Sequence, residues 1–411
     1  MLTTGLMTLA LGSPAWGSGV RAPAPSLATV AGTGVAGYSG NRGPARGARL
    51  DDPMGIAVDR SGDLFIADTA NCALREVPSG NRRSYGFDMR TGHITTVLGG
   101  RCPSGSRRPG PGSGTPQGVA VDRAGDLFAV EAVDNRVVEL PATTARSRHR
   151  PFVVAGTGVS GFSGDGGPAV RARLDGPGGV SVDAVGDLFI ADTDNCVVRE
   201  VPAETGTFYG ISMVAHDIYT VAGTGVCGSS GVGGPARSAQ LWTPVSVAVD
   251  GHGDILISAQ GDGAVLEEAA TSGTYYGTSI AADNVTTVAG AGLYGTYLGD
   301  GFLATFGGAG LNFPDGLAVD GEGDLFIADT YDRCIREVPA VTGPSFGREV
   351  TAGDMYTLVG ATPAQSQYDV TSAAAAQTVY PTGMAVSPSG SVLFFSDSGT
   401  DEVRKVTAPV S

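Results

Sequence analysis

Lysine is almost missing from this chain: Lys405 is the only one, so arginine supplies nearly all of the positive charge. Basic residues are outnumbered, 26 Lys and Arg against 41 Asp and Glu, for a formal net charge of −15. Nucleic-acid binding draws its affinity from neutralised phosphates, so a chain this acidic is a poor candidate for it. Two local basic runs exist (Arg101, Arg107 and Arg108; then Arg146, Arg148, His149 and Arg150), and they read as solvated loop charge. Histidine is scarce too. His93, His149, His216 and His252 stand at unrelated places and make no converging ligand set. No Walker loop or His-Glu-x-x-His is present. No apolar run reaches the ~18 residues of a membrane span. On these grounds we expect no metal, no cofactor and no transmembrane segment in the mature chain.

Glycine, by contrast, is abundant at 65 of 411 residues. That suits many short strands joined by tight turns, because glycine reaches the positive φ that such turns demand. The hydrophobic share of 42% is that of a folded protein.

One segment returns six times. Gly62-Asp63-Leu64-Phe65-Ile66-Ala67-Asp68 comes back at Gly125–Glu131, Gly186–Asp192, Gly253–Ala259, Gly323–Asp329 and, one residue longer, Gly390–Asp397. A fixed period of this size marks a propeller or a solenoid. Each copy holds four strand-like pieces: one after a proline (Ile56–Asp59), the Leu-Phe-Ile-Ala-Asp piece, one of the Ala73–Val77 type, and one of the Thr-Val-Ala-Gly type (Thr220–Gly223). Four antiparallel strands make a propeller blade. The fold class is therefore all-β, a six-bladed β-propeller. A Thr-Val-Ala-Gly strand, Thr29–Gly32, precedes the first copy, and the sixth stops after Val403–Val406 without its own fourth strand. The N-terminal strand is expected to complete the last blade and close the ring, removing two exposed edges.

At these residues the chain resembles the NHL-repeat family, through Pro-x-Gly-[IV]-Ala-Val-Asp, Gly-Asp-Leu-Phe-Ile-Ala-Asp-Thr-x-Asn and Arg-Glu-Val. The stretch Gly161–Ala169 looks like the linker of bacterial exported members, with degraded versions at Gly37–Ala45 and Gly228–Ala236. The resemblance spans about residues 27–407 and implies the fold. It leaves function open, since the family holds binding scaffolds, sensor domains and a few enzymes. Its amidating lyases use histidines around zinc, and gluconolactonase-like propellers use inner carboxylates and an amide around a metal. Neither pattern is visible here.

Residues 1–26 read as a signal-like or untidy leader, 27–407 as the propeller and 408–411 as a tail. Leu6–Leu11 with the small residues Gly12–Gly19 is similar to a secretory signal, although no Arg or Lys precedes Arg21. The location expected is secreted or cell-surface.

The repeated aspartates (Asp59, Asp122, Asp183, Asp250 and Asp320; Asp63, Asp126, Asp187, Asp254 and Asp324; Asp68, Asp192 and Asp329) recur with the turns and are assigned to them. Cys72 and Cys196 stand at the same place in their copies, and Cys102 and Cys227 lie 30 and 31 residues on, past the fourth strand. Antiparallel third and fourth strands bring the start of one beside the end of the other, so two disulfides are expected, with Cys334 left free. The long inserts before the fourth strand, such as Thr205–Gly210 and Ser272–Gly277, are expected on the face opposite the linkers. Their aromatic tips either stand exposed for a glycan or protein or pack on their own hairpins.

The Pro-x-Gly entry to each innermost strand holds its frame, with Ser246 replacing glycine once, while the middle residue varies: Met54, Gln117, Gly178, Val245, Asp315 and Thr382. We read proline and glycine there as needs of the turn. A constant frame with one variable rim position is how loops distribute binding specificity. Asp315 is the only ionisable member, so no acid–base pair is offered. The expectation is a non-catalytic binding module for a protein, peptide or glycan at the funnel mouth. The alternative is a lyase- or lactonase-type enzyme working in the central funnel.

Overall fold

The computed structural model describes residues 25–100, 102, 110–112, 114–142, 150–290, 292, 300–307, 309–360 and 378–409. The apolar segment Leu6–Leu11 and most of the basic runs lie outside these residues, as does part of the insert in the second copy. Each copy is one four-stranded antiparallel blade. Blade 1 runs Pro53–Val58, Leu64–Asp68, Ala73–Val77 and Thr95–Gly99 from the axis outwards. Blade 3 is Gly179–Val182, Leu188–Asp192, Val197–Val201 and Asp217–Ala222. The second strand of blades 1 to 5 is wholly buried, as expected for a β-rich run covered on both faces. Among the described residues there is no α-helix.

The ring closes as the strand count required. Ser26–Ala31 pairs antiparallel with Glu402–Thr407, with Leu27 opposite Val406, Thr29 opposite Arg404 and Ala31 opposite Val403. Both disulfides form, Cys72–Cys102 and Cys196–Cys227, with Cα atoms 5.1 and 5.2 Å apart. Cys334 is a buried free thiol. It lies one residue further along than Cys72 and Cys196, inside the strand Cys334–Val338 and not before it.

The repeated aspartates do hold turns. Asp59 Oδ1 accepts the backbone N–H groups of Ser61 and Asp63, and Asp63 Oδ1 accepts that of Ser79 at the exit of the third strand. The aspartate that ends the second strand reaches further than its own turn. Asp192 accepts the N–H of Asp175 in the incoming linker, the side-chain amide of Asn195 and the guanidinium of Arg199. Asp68 and Arg75 repeat this, as do Asp329 and Arg336. The arginine then grips the linker: Arg75 donates to the carbonyls of Ser39 and Arg49. Tyr38 covers Arg75 with its ring 5.1 Å from the guanidinium, and Phe162 covers Arg199 at 4.9 Å. Burial, opposed by these bonds, still pushes the Asp192 carboxyl up to about 6. Blade 4 drops both partners at once, with Ala259 and Leu266 in their places.

The aromatic inserts follow neither expected course. Each tip is a Tyr-Gly or Phe-Gly pair with both residues at positive φ, from Tyr85 at 46° and Gly86 at 84° to Phe346 at 42° and Gly347 at 79°. The ring folds onto the following blade. Tyr85, Tyr209 and Tyr276 donate to the carbonyls of Gly125, Gly253 and Gly323 at 2.5, 2.6 and 2.7 Å. Phe346, with no hydroxyl, is buried in the same position.

Three outcomes test this architecture. A chain lacking residues 1–32 should melt several degrees below the full chain, since it loses a whole strand of the closing blade and roughly 1 kcal/mol corresponds to about 1 °C in a protein this large; an unchanged melting curve would contradict ring closure. Thiol titration of unreduced, denatured protein should find one free thiol, and finding five would remove the disulfides. Asp192→Ala should cost about 1–3 kcal/mol by removing one of the two carboxylates, with Asp165, that pair the buried Arg199 guanidinium, whereas Asp192→Ala with Arg199→Leu, the blade 4 arrangement, should recover most of that loss in chemical denaturation.

Candidate binding site at the axial mouth

The six innermost strands start on the linker face, and their first residues enclose one axial cavity of about 370 Å³. All six variable positions line it: Met54, Gln117, Gly178, Val245, Asp315 and Thr382. A β-bulge at the strand entry recurs in five blades, between Pro53 and Ile56, Pro116 and Val119, Pro244 and Ser246, Pro314 and Leu317, and Pro381 and Met384. Bulges re-aim a side chain relative to the regular pleat, and here they accompany every variable position but Gly178.

The glycine of Pro-x-Gly has a different role from the one its sequence context suggests. Gly55, Gly118, Gly179, Gly316 and Gly383 are not at positive φ, so the turn itself does not require them. They are needed because neighbouring innermost strands approach too closely for a side chain. A Cβ on Gly55 would lie 2.5 Å from the carbonyl oxygen of Gln117, one on Gly118 would lie 3.1 Å from that of Gly178, and one on Gly179 would lie 2.8 Å from that of Val245. On Gly316 and Gly383 it would strike the carbonyls of Thr382 and Met54. Ser246 makes the seam between blades 4 and 5 the one that accommodates a Cβ at this position.

Hydroxyl groups tie the same seams. Thr69, Thr193 and Thr330, each directly after its aspartate, donate to the carbonyls of Pro116, Pro244 and Pro381 at 2.8, 2.8 and 2.7 Å. Blade 4 uses Ser258 instead, bonded to Pro314 at 2.8 Å. At the closing seam Ser396 donates to the Met54 carbonyl. Thr382 is buried, its hydroxyl 3.0 Å from Ser396 Oγ and 3.4 Å from the Pro53 carbonyl, so it serves the seam more than the cavity. Met54, Gln117, Gly178, Val245 and Asp315 are half-buried.

Asp315 is the only ionisable residue lining the cavity. Burial first, and then the charge of Asp52, push its carboxyl up to about 6. No described histidine lines the cavity; His252 lies in a turn on the opposite face.

The rim carries a feature that sequence reasoning missed. Aromatics gather on the linker face around blades 4 to 6: Trp242, Phe313 and Tyr380 just before the entries of blades 4, 5 and 6, and Tyr331 just after the second strand of blade 5. Phe313 and Tyr331 have ring centroids 4.5 Å apart, and Tyr331 and Tyr380 are 5.9 Å apart. Trp242 stands 47% exposed two residues before Pro244. The aromatic pair pattern of the hairpins drew attention to the far face, but those rings are spent between blades. Phe313 and Tyr380 share the position directly before the proline of Pro-x-Gly, but Asp52, Thr115, Gly176 and Thr243 fill it in the other copies, and Tyr331 and Trp242 stand elsewhere in theirs, so the period alone does not mark them as one group.

No protein-family model matches the chain. It is 27% identical to human Teneurin-1 over 239 residues, covering 55% of this chain and 8% of that protein, so it spans less than a tenth of the length of this curated relative. Among solved structures it is similar to an auxiliary nutrient binding protein from Bacteroides thetaiotaomicron, with a TM-score of 0.57 and 13% identity over 93% of this chain and 76% of that one. A gluconolactonase from Xanthomonas campestris has a TM-score of 0.53 and 12% identity over 95% and 91% of the two chains. At such identities these likenesses establish the propeller fold alone.

The close approach at the seams makes a stability prediction. Gly118→Val, which needs room beside the Gly178 carbonyl, should lower the melting temperature by about 1–4 °C, in keeping with the roughly 1–3 kcal/mol of overpacking. A melting temperature equal to that of the unaltered chain would contradict it.

Proposed function

We propose that this is an exported NHL-type propeller that binds a glycan end at the axial mouth and does not transform it. The observation that carries this reading is the convergence of the six variable positions on one cavity with a single ionisable group. Catalysis by proton transfer wants an acid and a base in reach of each other, and among the described residues Asp315 is the one ionisable group lining the cavity, with Asp52 nearby as a second carboxylate and not a base of another kind. Binding asks for less: a concave, mostly apolar pocket with a few polar groups that fix orientation. Gln117 and Asp315 supply those, and the Phe313–Tyr331–Tyr380 arc beside Asp315 offers apolar faces with polar edges to the hydroxylated rings of a sugar. Export is supported by the two disulfides, which persist in oxidising compartments. The Bacteroides neighbour, described as nutrient-binding, is compatible with the same reading.

The test is a panel of mono- and oligosaccharides, with short peptides alongside, screened by calorimetry. A sugar should bind, Gln117→Ala with Asp315→Asn should weaken it at least tenfold, and affinity should fall as the pH drops through about 6, where Asp315 loses its negative charge. Asp315→Asn alone should flatten that pH dependence. A ligand indifferent to both positions, a peptide in place of a sugar, or turnover of an aldonolactone would each overturn the reading.

A further inference from the structure

The face opposite the mouth holds a second repeated constellation. In blades 1 to 5 the turn between first and second strands carries two aspartates, and the third strand adds a glutamate; blade 6 has Ser387 and Lys405 instead. The sets are Asp59, Asp63 and Glu76 in blade 1, Asp122, Asp126 and Glu139 in blade 2, Asp183, Asp187 and Glu200 in blade 3, Asp250, Asp254 and Glu267 in blade 4, and Asp320, Asp324 and Glu337 in blade 5. Glu76 sits opposite Phe65, Glu200 opposite Phe189 and Glu267 opposite Leu256. The second aspartate lies two residues before that partner, hence on the same face of the sheet.

Blade 1 shows that the three carboxylates point at one place. The guanidinium of Arg82 lies 2.9 Å from Glu76 and 3.8 Å from Asp59, and it also pairs with Asp63. In blade 5 Arg348, from the second hairpin strand, pairs with Glu337 at 2.8 Å. Blades 3 and 4 have a cation at neither hairpin position. Gly206 and Gly273 replace Arg82, and Ile211 and Thr278 replace Arg348.

What remains there is buried and unpartnered. Glu200 is fully buried with neither carboxylate oxygen hydrogen-bonded, and Glu267, 1% exposed, leaves Oε2 without a partner, as does Asp254 with Oδ2. The turns use Oδ1 of each aspartate: Asp183 takes Val185, Gly186 and Asp187, Asp187 takes Ala203, Asp250 takes His252 and Asp254, and Asp254 takes Ala270. In blade 4 the ligand atoms of Asp250, His252 and Asp254 lie within 4.8 Å of one another. Tyr209 fixes that turn from the preceding blade through the Gly253 carbonyl.

We propose that the pockets of blades 3 and 4 each bind one calcium ion, doing there what an arginine does in blades 1 and 5. The common donor set is all carboxylate oxygen, which suits a hard cation; His252 has no counterpart in blade 3 and is largely exposed. Calcium takes six to eight oxygens in loose geometry, so turn carbonyls and water complete the shell.

The test is calorimetric titration of chelator-treated protein with calcium chloride, beside melting curves in chelator and in excess calcium. Two ions per chain should bind, and the melting temperature should rise with calcium as binding to the folded state requires. Glu200→Gln and Glu267→Gln should each reduce the stoichiometry to one, and together to none. Glu76→Gln, where Arg82 is in place, should keep two. Should the double variant melt too early to assay, Asp183→Asn with Asp250→Asn, at the pocket rims, carries the same expectation. No heat and no thermal shift in the unaltered chain, two ions still bound by the double variants, or a response to zinc but not calcium would each overturn the proposal.

Discussion

The propeller turns on how closely its innermost strands approach one another. At the mouth, the residue after each variable one faces the next blade, and at five of the six seams it is a glycine near the carbonyl of that blade's variable residue: a Cβ would collide at four of them and be crowded at the fifth, at Gly118. Hydroxyls at the ends of the second strands, of Thr69, Thr193 and Thr330 just after the strand and of Ser258 within it, then bond the neighbouring proline carbonyls. Close approach and hydrogen bonding together fix where the six variable side chains stand. The site is therefore a product of backbone geometry, and its chemistry can change one residue at a time without disturbing the frame.

Each face is secured differently. On the linker face, the aspartate ending the second strand and the arginine seven residues on hold the incoming linker, and an aromatic from that linker covers the arginine. On the far face a hairpin ring reaches into the next blade. Blade 4 shows how tightly the members of a network are linked. Removing one partner of a buried pair strands a charge, whereas removing both costs little, and blade 4 has lost Asp and Arg together as Ala259 and Leu266. The carboxylate clusters of the far face follow the same logic with a different answer: arginine is present in blades 1 and 5, and absent where Glu200 and Glu267 are left unpartnered.

Whatever depends on the period was readable in the chain. The blade count, the closing strand at Ser26–Ala31 and both cysteine pairs follow from the position of residues within a repeat. So does the convergence of Met54, Gln117, Gly178, Val245, Asp315 and Thr382, because equivalent positions in a closed ring must face one axis. What escaped depends on contacts between blades. The glycines looked like turn residues because the carbonyls that demand them lie about sixty residues away. Tyr209 and Tyr276 looked like candidate recognition tips because their acceptors, Gly253 and Gly323, belong to the next copy. Of the rim aromatics only Phe313 and Tyr380 share a repeat position, and Tyr331, which touches both, joins them only in space.

The central claim is that crowding between innermost strands, and not turn conformation, builds the mouth. Comparing the melting temperatures of Gly55→Ala and Met54→Ala tests it most directly. The two positions are adjacent in one entry segment, but only the first would place a Cβ 2.5 Å from a carbonyl of the next blade. The account predicts a loss of several degrees for Gly55→Ala and almost none for Met54→Ala. Equal effects, or a Gly55→Ala chain as stable as the original, would contradict it.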